Sequence, residues 1–317
     1  MEERVLALVG KHTRTATEAS VDPEVTPPNL VAIVILSRGK CGLTKGVTLY
    51  LVAMAVADLL VIIFYFILGH LNTFYLHIVF LIYSPGCKIT EVIGYVAIDS
   101  SVWLNIAFTF DRMVAICCQK LKTKYCTEKS AAIVITTVSL LSLLINIPWY
   151  FKYVPNGCNL TYEYLSSPVW KAYDWGDRVL TPLLPFVLIL LLNTVTVRHI
   201  LLASAVRRKL RAQRNGEEQH DPEMKNRRRS IILLFTISGS FILLWTTNVV
   251  VLAIRQITGM YDFWSTPFFV ADLMGTMLQL LSSCTNTFIY AVTQSKFREE
   301  MRNTLKYPFT AILNFIK

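Results

Sequence analysis

The chain has 317 residues, of which 54% are hydrophobic and only 16% charged, with a mean hydropathy of +0.48 and a formal net charge of +10. Soluble domains carry about 25% charged residues, and their long helices keep a polar face, so an ordinary soluble protein is excluded. The positive charge lies in short stretches between long apolar runs, which removes the need for a nucleic-acid partner.

In chain order, the polar segment 1–28 holds one apolar patch, residues 5–9, shorter than a signal-peptide core and followed by no clear cleavage site. This lead-in reads as disordered. Residues 29–36 form an apolar run of one to two helical turns. At about 1.5 Å per residue it crosses less than half of a roughly 30 Å hydrocarbon layer. It therefore reads as half a helix, expected of a splice variant or an incorrect gene model; the other reading is a genuine six-and-a-half-helix protein. Six later runs, residues 47–69, 89–117, 131–153, 180–203, 231–254 and 268–292, meet the requirement for roughly 20 apolar residues. The predicted fold is all-α: a seven-transmembrane helix bundle over residues 29–307 with a truncated first helix, then a short tail at 308–317.

Alternating loops place Arg38, Lys40, Lys45, Arg112, Lys120, Lys122, Lys124, Lys129 and the basic residues between 198 and 229 on one side, with those of the tail. The other side has Lys88, Lys152, Lys171, Arg178 and Arg255. This asymmetry predicts that the first side is cytoplasmic, where the basic clusters meet anionic membrane lipids. On that topology Cys41, Cys117, Cys118 and Cys126 lie at the reducing side and Cys284 inside a helix. Cys87 and Cys158 alone see an oxidising compartment, and a disulfide between them is expected. Asn159, in Asn159-Leu160-Thr161, is a candidate glycosylation acceptor.

Ionisable groups inside membrane helices mark function by default. Asp58 sits mid-helix in an apolar stretch, with Ser101, Ser282 and Asn286 as candidate partners. That oxygen set suits Na⁺ or a proton-dependent switch; it also suits a hydrogen-bonded packing node. Asp111 and Arg112 end the run 89–117, either as a charge pair that holds the helix end closed or as a plain ion pair with a snorkelling arginine.

Twenty-five residues separate Cys87 from Arg112, the spacing between the outer cysteine and the Asp-Arg-Tyr arginine of rhodopsin-like (class A) G-protein-coupled receptors. The chain resembles that family over residues 29–305. Asn29 corresponds to its first-helix asparagine, Asp58 to its second-helix aspartate and Pro185 to its fifth-helix proline. Phe241 and Trp245 correspond to the sixth-helix aromatic switch, and Asn286-Thr287-Phe288-Ile289-Tyr290 to the Asn-Pro-x-x-Tyr motif. Phe297-Arg298 corresponds to the start of a short amphipathic helix. Within the family the likeness runs to the receptor 139 group, carried by Ser101-Val102-Trp103-Leu104, residues 109–117, Asn193 in place of the usual tyrosine, and the missing fourth-helix tryptophan.

The resemblance implies a two-state bundle opened by an extracellular ligand, with a heterotrimeric G protein as partner. Arg112 would be released from Asp111 while Asn193 and Tyr290 rearrange, with Trp245 as the coupling element and basic residues 207–214 and 227–229 flanking the crevice. Met113, Thr247 and Thr287 depart from the motif tyrosine and two helix prolines, which predicts weaker bends. Gly94 stands where amine receptors carry aspartate, which argues against a biogenic amine. Glu91, Tyr95, Asn248 and Asp272, with Arg255 near the rim, are candidate pocket residues or ordinary helix-end groups. Acid and base together suit a zwitterion, and the resemblance to the receptor 139 group implies an aromatic amino acid or related peptide. The competing readings are a transporter or channel, against which the absence of internal repeats counts, and a truncated product that does not signal. Scattered histidines and the lack of metal-ligand spacing or a nucleophile motif argue against an enzyme, a metal beyond Na⁺ at Asp58, or any other cofactor.

Overall fold

The computed structural model describes residues 28–76, 85–154, 158–213, 222–258 and 266–304. The lead-in, most of the polar connection 215–223 and the tail, with the side chains of Arg207, Arg214 and Arg255, fall outside the described residues.

Among the described residues seven principal helices follow one another: α1 Pro28–Ser37, α2 Lys45–Leu60, α3 Gly86–Cys117, α4 Glu128–Asn146, α5 Leu184–Gln213, α6 Pro222–Thr258 and α7 Thr266–Thr293. α2 continues as a wider π-type coil over Val61–Leu76, and α4 tightens into a 3₁₀ turn over Ile147–Lys152. Short helices Gln119–Tyr125, Tyr162–Ser166 and Pro168–Arg178 fill the connections. Residues 295–304 form the expected final helix.

Five of the described helical segments are long and apolar enough to cross a membrane. The sixth expected run forms α7, of sufficient length at 28 residues, but it falls outside that set of five. It carries Gln279, Ser283 and Thr287 as buried polar groups. α1 is ten residues long, so it rises about 15 Å.

Burial identifies the solvent. α4 buries Ala131, Ser142 and Asn146, whereas Ile133 is 66% and Leu144 61% exposed. α5 similarly turns Val187, Leu191, Leu201 and Leu202 outward. A helix that hides its amide and exposes its leucines is stable where the surroundings are as apolar as leucine, as they are in hydrocarbon. The chain is a multi-pass membrane protein.

The core lies in two stacked layers. One packs Ile35, Leu36, Tyr50, Leu51, Met54 and Phe108 against Leu233, Ile237, Tyr290 and Phe297. The second, nearer the Cys87 end, packs Val61, Ile98, Val102 and Ile189 against Phe241, Trp245 and Leu280. Gly39 ends α1 at φ +69° with its N–H bonded to Leu36 O at 3.0 Å, a left-handed stop that glycine adopts without strain. α6 and α7 continue as helix past Thr247 and Thr287, the two threonines that stand in place of the family's helix prolines. The backbone irregularity of the fifth span falls at Thr181 (φ −147°, ψ 110°), just before α5, rather than at Pro185, which sits in the first turn of α5.

Candidate functional site

Polar side chains gather at three levels along the bundle axis. At one end of α3, Arg112 donates from Nε to Asp111 Oδ2 at 3.0 Å and from Nη2 to the same oxygen. Both residues are 8% exposed. Cys126 donates its thiol to the Asp111 carbonyl at 3.4 Å. Burial pushes that thiol up to about 11, helped by the Asp111 charge. Nearby in sequence-motif terms, Asn193 donates to Ser238 Oγ at 2.8 Å and leaves its Oδ1 without a partner among the described residues. Tyr290 is fully buried against Phe297, with ring centroids 5.9 Å apart, and its hydroxyl is likewise unpartnered.

At mid-bundle, Asp58 accepts from Ser101 Oγ at 2.6 Å and from Asn286 Nδ2 at 2.8 Å. These three side chains come from α2, α3 and α7. They line a cavity of about 20 Å³ together with Asn105, Ser282, Phe241 and Trp245, room for one water-sized occupant. Phe241 and Trp245 stack at 5.1 Å, so the aromatic pair of α6 forms one wall of the aspartate cavity. Asn105 Oδ1 is buried and has no partner among the described residues, and Asp58 keeps spare lone pairs; this oxygen-rich lining fits a small hard cation. One turn from Asn286 toward α1, Asn29 donates to Ser283 O at 2.9 Å, and Thr287 donates to Asn29 Oδ1 at 3.3 Å. The hydroxyl standing where proline is usual thus ties α7 to α1.

At the opposite end, the Cys87–Cys158 disulfide forms as expected, with Cα atoms 6.3 Å apart. Asn159 beside it is exposed. Lys152 pairs with Glu91 and lies among the rings of Tyr95, Trp149, Tyr153 and Tyr164. Burial pushes the phenol of Tyr164 up, so this ring stays neutral and protonated. Deeper in, Asn146 donates to Asp99 Oδ2 at 2.6 Å.

Residues 28–290 match the family described as 7 transmembrane receptor (rhodopsin family). The chain belongs to the rhodopsin family of seven-transmembrane receptors. The receptor is 26% identical over 296 residues to a protein named "Rhodopsin, GQ-coupled" from Mizuhopecten yessoensis. That alignment covers 89% of this chain and 57% of the relative, so the receptor spans just over half the relative's length. Its family is one of signalling receptors rather than enzymes.

In the receptor, the residues anticipated for the aspartate node and the aromatic switch converge on one cavity. The anticipated pocket residues do not all meet. Glu91 and Tyr95 join the Lys152 cluster, whereas Asn248 donates to Gln279 at 2.8 Å and bridges α6 to α7. Asp272 acts electrostatically on Tyr65, whose ring lies 6.3 Å from Tyr95. Sequence reading passed over Asp99, although the rule that finds Asp58 applies equally to it. Lys152 was expected only as one of the sparse charges of the outer loops and helix ends, and nothing local in the sequence marks its ring of aromatic neighbours.

Proposed function

We propose that the receptor binds an extracellular organic ligand at the Cys87 end and activates a heterotrimeric G protein at the Arg112 end. The observation that carries this reading is the shared cavity, because Asp58, Ser101, Asn286, Phe241 and Trp245 join α2, α3, α6 and α7 there. A change at one helix alters the packing of the other three. Arg112 is held by Asp111, the form expected before the crevice opens. Charge asymmetry and the disulfide both support placing the Arg112 end in the cytoplasm. The name of the scallop relative supports coupling to a Gq-type protein, and the likeness to the receptor 139 group supports an aromatic amino acid or small peptide as ligand.

The test is G-protein activation in membranes challenged with aromatic amino acids and short peptides. A response should appear and be lost in Arg112→Gln at equal surface level; undiminished signalling in that variant removes Arg112 from its role. Absence of the chain from the surface, by labelling of intact cells, would favour the reading in which a short α1 yields a product that does not signal. Na⁺ is proposed at Asp58, with oxygens of Ser101, Ser282, Asn105 and Asn286 around it. Replacing KCl by NaCl should raise the melting temperature of the purified receptor, and Asp58→Asn should erase the difference. Equal melting in both salts dismisses the ion and leaves Asp58 as a packing node.

A further inference from the structure

Lys152 closes the 3₁₀ turn after α4. A lysine at the end of a membrane helix ordinarily extends its ammonium toward water. Here the side chain is 8% exposed and the ammonium bonds to Glu91. Ring centroids of Trp149, Tyr153, Tyr95 and Tyr164 lie 4.9, 5.0, 5.5 and 5.7 Å from Nζ. Lys88, also buried, faces one ring among the described residues, Tyr150 at 5.3 Å. Several rings with a carboxylate are the arrangement by which proteins recognise organic ammonium ligands.

Local charge points the same way. Glu91 pairs with Lys152, and Asp177 stands close to Asp99, Asp174 and Arg178. Arg178 is engaged by Asp174 at 2.8 Å. Asp177 lies within electrostatic reach of Lys152 and of Asp99. Lys152 therefore has a second acidic residue within reach if it leaves Glu91. Glu91 also lies three residues before Gly94, on the same face of α3, so the acid absent at position 94 is supplied one turn earlier.

We propose that this cage is a binding site for the ammonium group of an organic ligand, filled by the receptor's own Lys152 until a ligand amine displaces it. The proposal rests on the reading of this end as the ligand side, and it narrows the ligand to an amine attached to an aromatic body. A tethered lysine competes at an effective concentration on the order of millimolar, so a ligand needs ring contacts in addition to its charge.

The experiment uses the full chain in lipid nanodiscs, with N,N-dimethylphenethylammonium as probe and 2-phenylethanol as the neutral control. Lys152→Met keeps the apolar stem and vacates the ammonium position. The probe should bind this variant at least about tenfold more tightly than wild type, equivalent to about 1.4 kcal/mol. The alcohol should not discriminate, and adding Glu91→Gln should erase the gain. Equal probe affinity for variant and wild type, or equal gains for alcohol and amine, overturns the proposal. Should Lys152→Met fail to fold, reductive methylation of wild-type Lys152, read by peptide mass, decides. Methylation should be slow in the free receptor and severalfold faster with saturating probe; an unchanged rate overturns the exchange. Amine exchange without any G-protein response would sink only the signalling reading. A G-protein response without exchange would sink only the cage.

Discussion

Asn146 spends both amide hydrogens, one on Asp99 Oδ2 at 2.6 Å and one on Ser142 O at 2.8 Å. Its carbonyl oxygen has no partner among the described residues, and turning the amide over would aim that oxygen at two acceptors. Replacing Asn146 by Leu strands a buried aspartate, a loss of roughly 1–3 kcal/mol, read as a lower melting temperature; unchanged melting would mean that Asp99 finds another donor. Thr287→Val removes the donor to Asn29 Oδ1 and should cost about 1 kcal/mol, in the same assay. Cys126 gives a pH signature. Alkylation needs the thiolate, and with the thiol pushed up to about 11 the reactive form appears only as pH rises toward that value. At pH 8 Cys126 should react with iodoacetamide roughly a hundredfold more slowly than an unperturbed thiol. Peptide mass mapping checks this, and rapid labelling at pH 8 contradicts it.

Among the helices, the disulfide joins α3 to the connection after α4 across 71 residues of sequence. Closing a loop of that length contributes about 4 kcal/mol in the chain-entropy account. Cys87→Ser and Cys158→Ser should each lower stability by the same amount, and the double variant should be no worse; additive losses would argue against the bridge as the common cause. Element identity was legible from hydropathy because a bilayer demands long apolar runs. Element ends were not. α6 begins at Pro222 and α5 extends to Gln213, well beyond the expected 231 and 203, since helical hydrogen bonding continues into water and hydropathy marks only the portion in lipid. Asp58, Ser101 and Asn286 were legible as polar groups in apolar helices, whereas Ser283 accepts from Asn29 through its backbone, which carries no residue-type signature. The Lys152 cage draws on α3, the turn after α4 and helix Tyr162–Ser166, and only tertiary packing brings these together.

For the whole molecule, orientation is the claim that unites the charge asymmetry, the disulfide and the proposed coupling. An epitope inserted after Leu160 should be reached by antibody on intact cells, and one inserted after Lys124 only after permeabilisation; the reverse pattern would invert every assignment of ligand and G-protein side. α4 adds a further consequence. One end is fixed by the Thr127 cap, which accepts from Ser130 N at 3.2 Å, and the other by the Asn146–Asp99 bond. Between them Ser142 is buried while Ile133, Leu140, Leu141 and Leu144 face outward. Along the same stretch Val134, Ile135 and Val138 pack inward against the core layer of α1 and α2, so α4 is a wall with one face in the bundle and the other in lipid. The Trp149 and Lys152 turn continues that wall, so the lipid that covers the leucine face of α4 borders the cage as well.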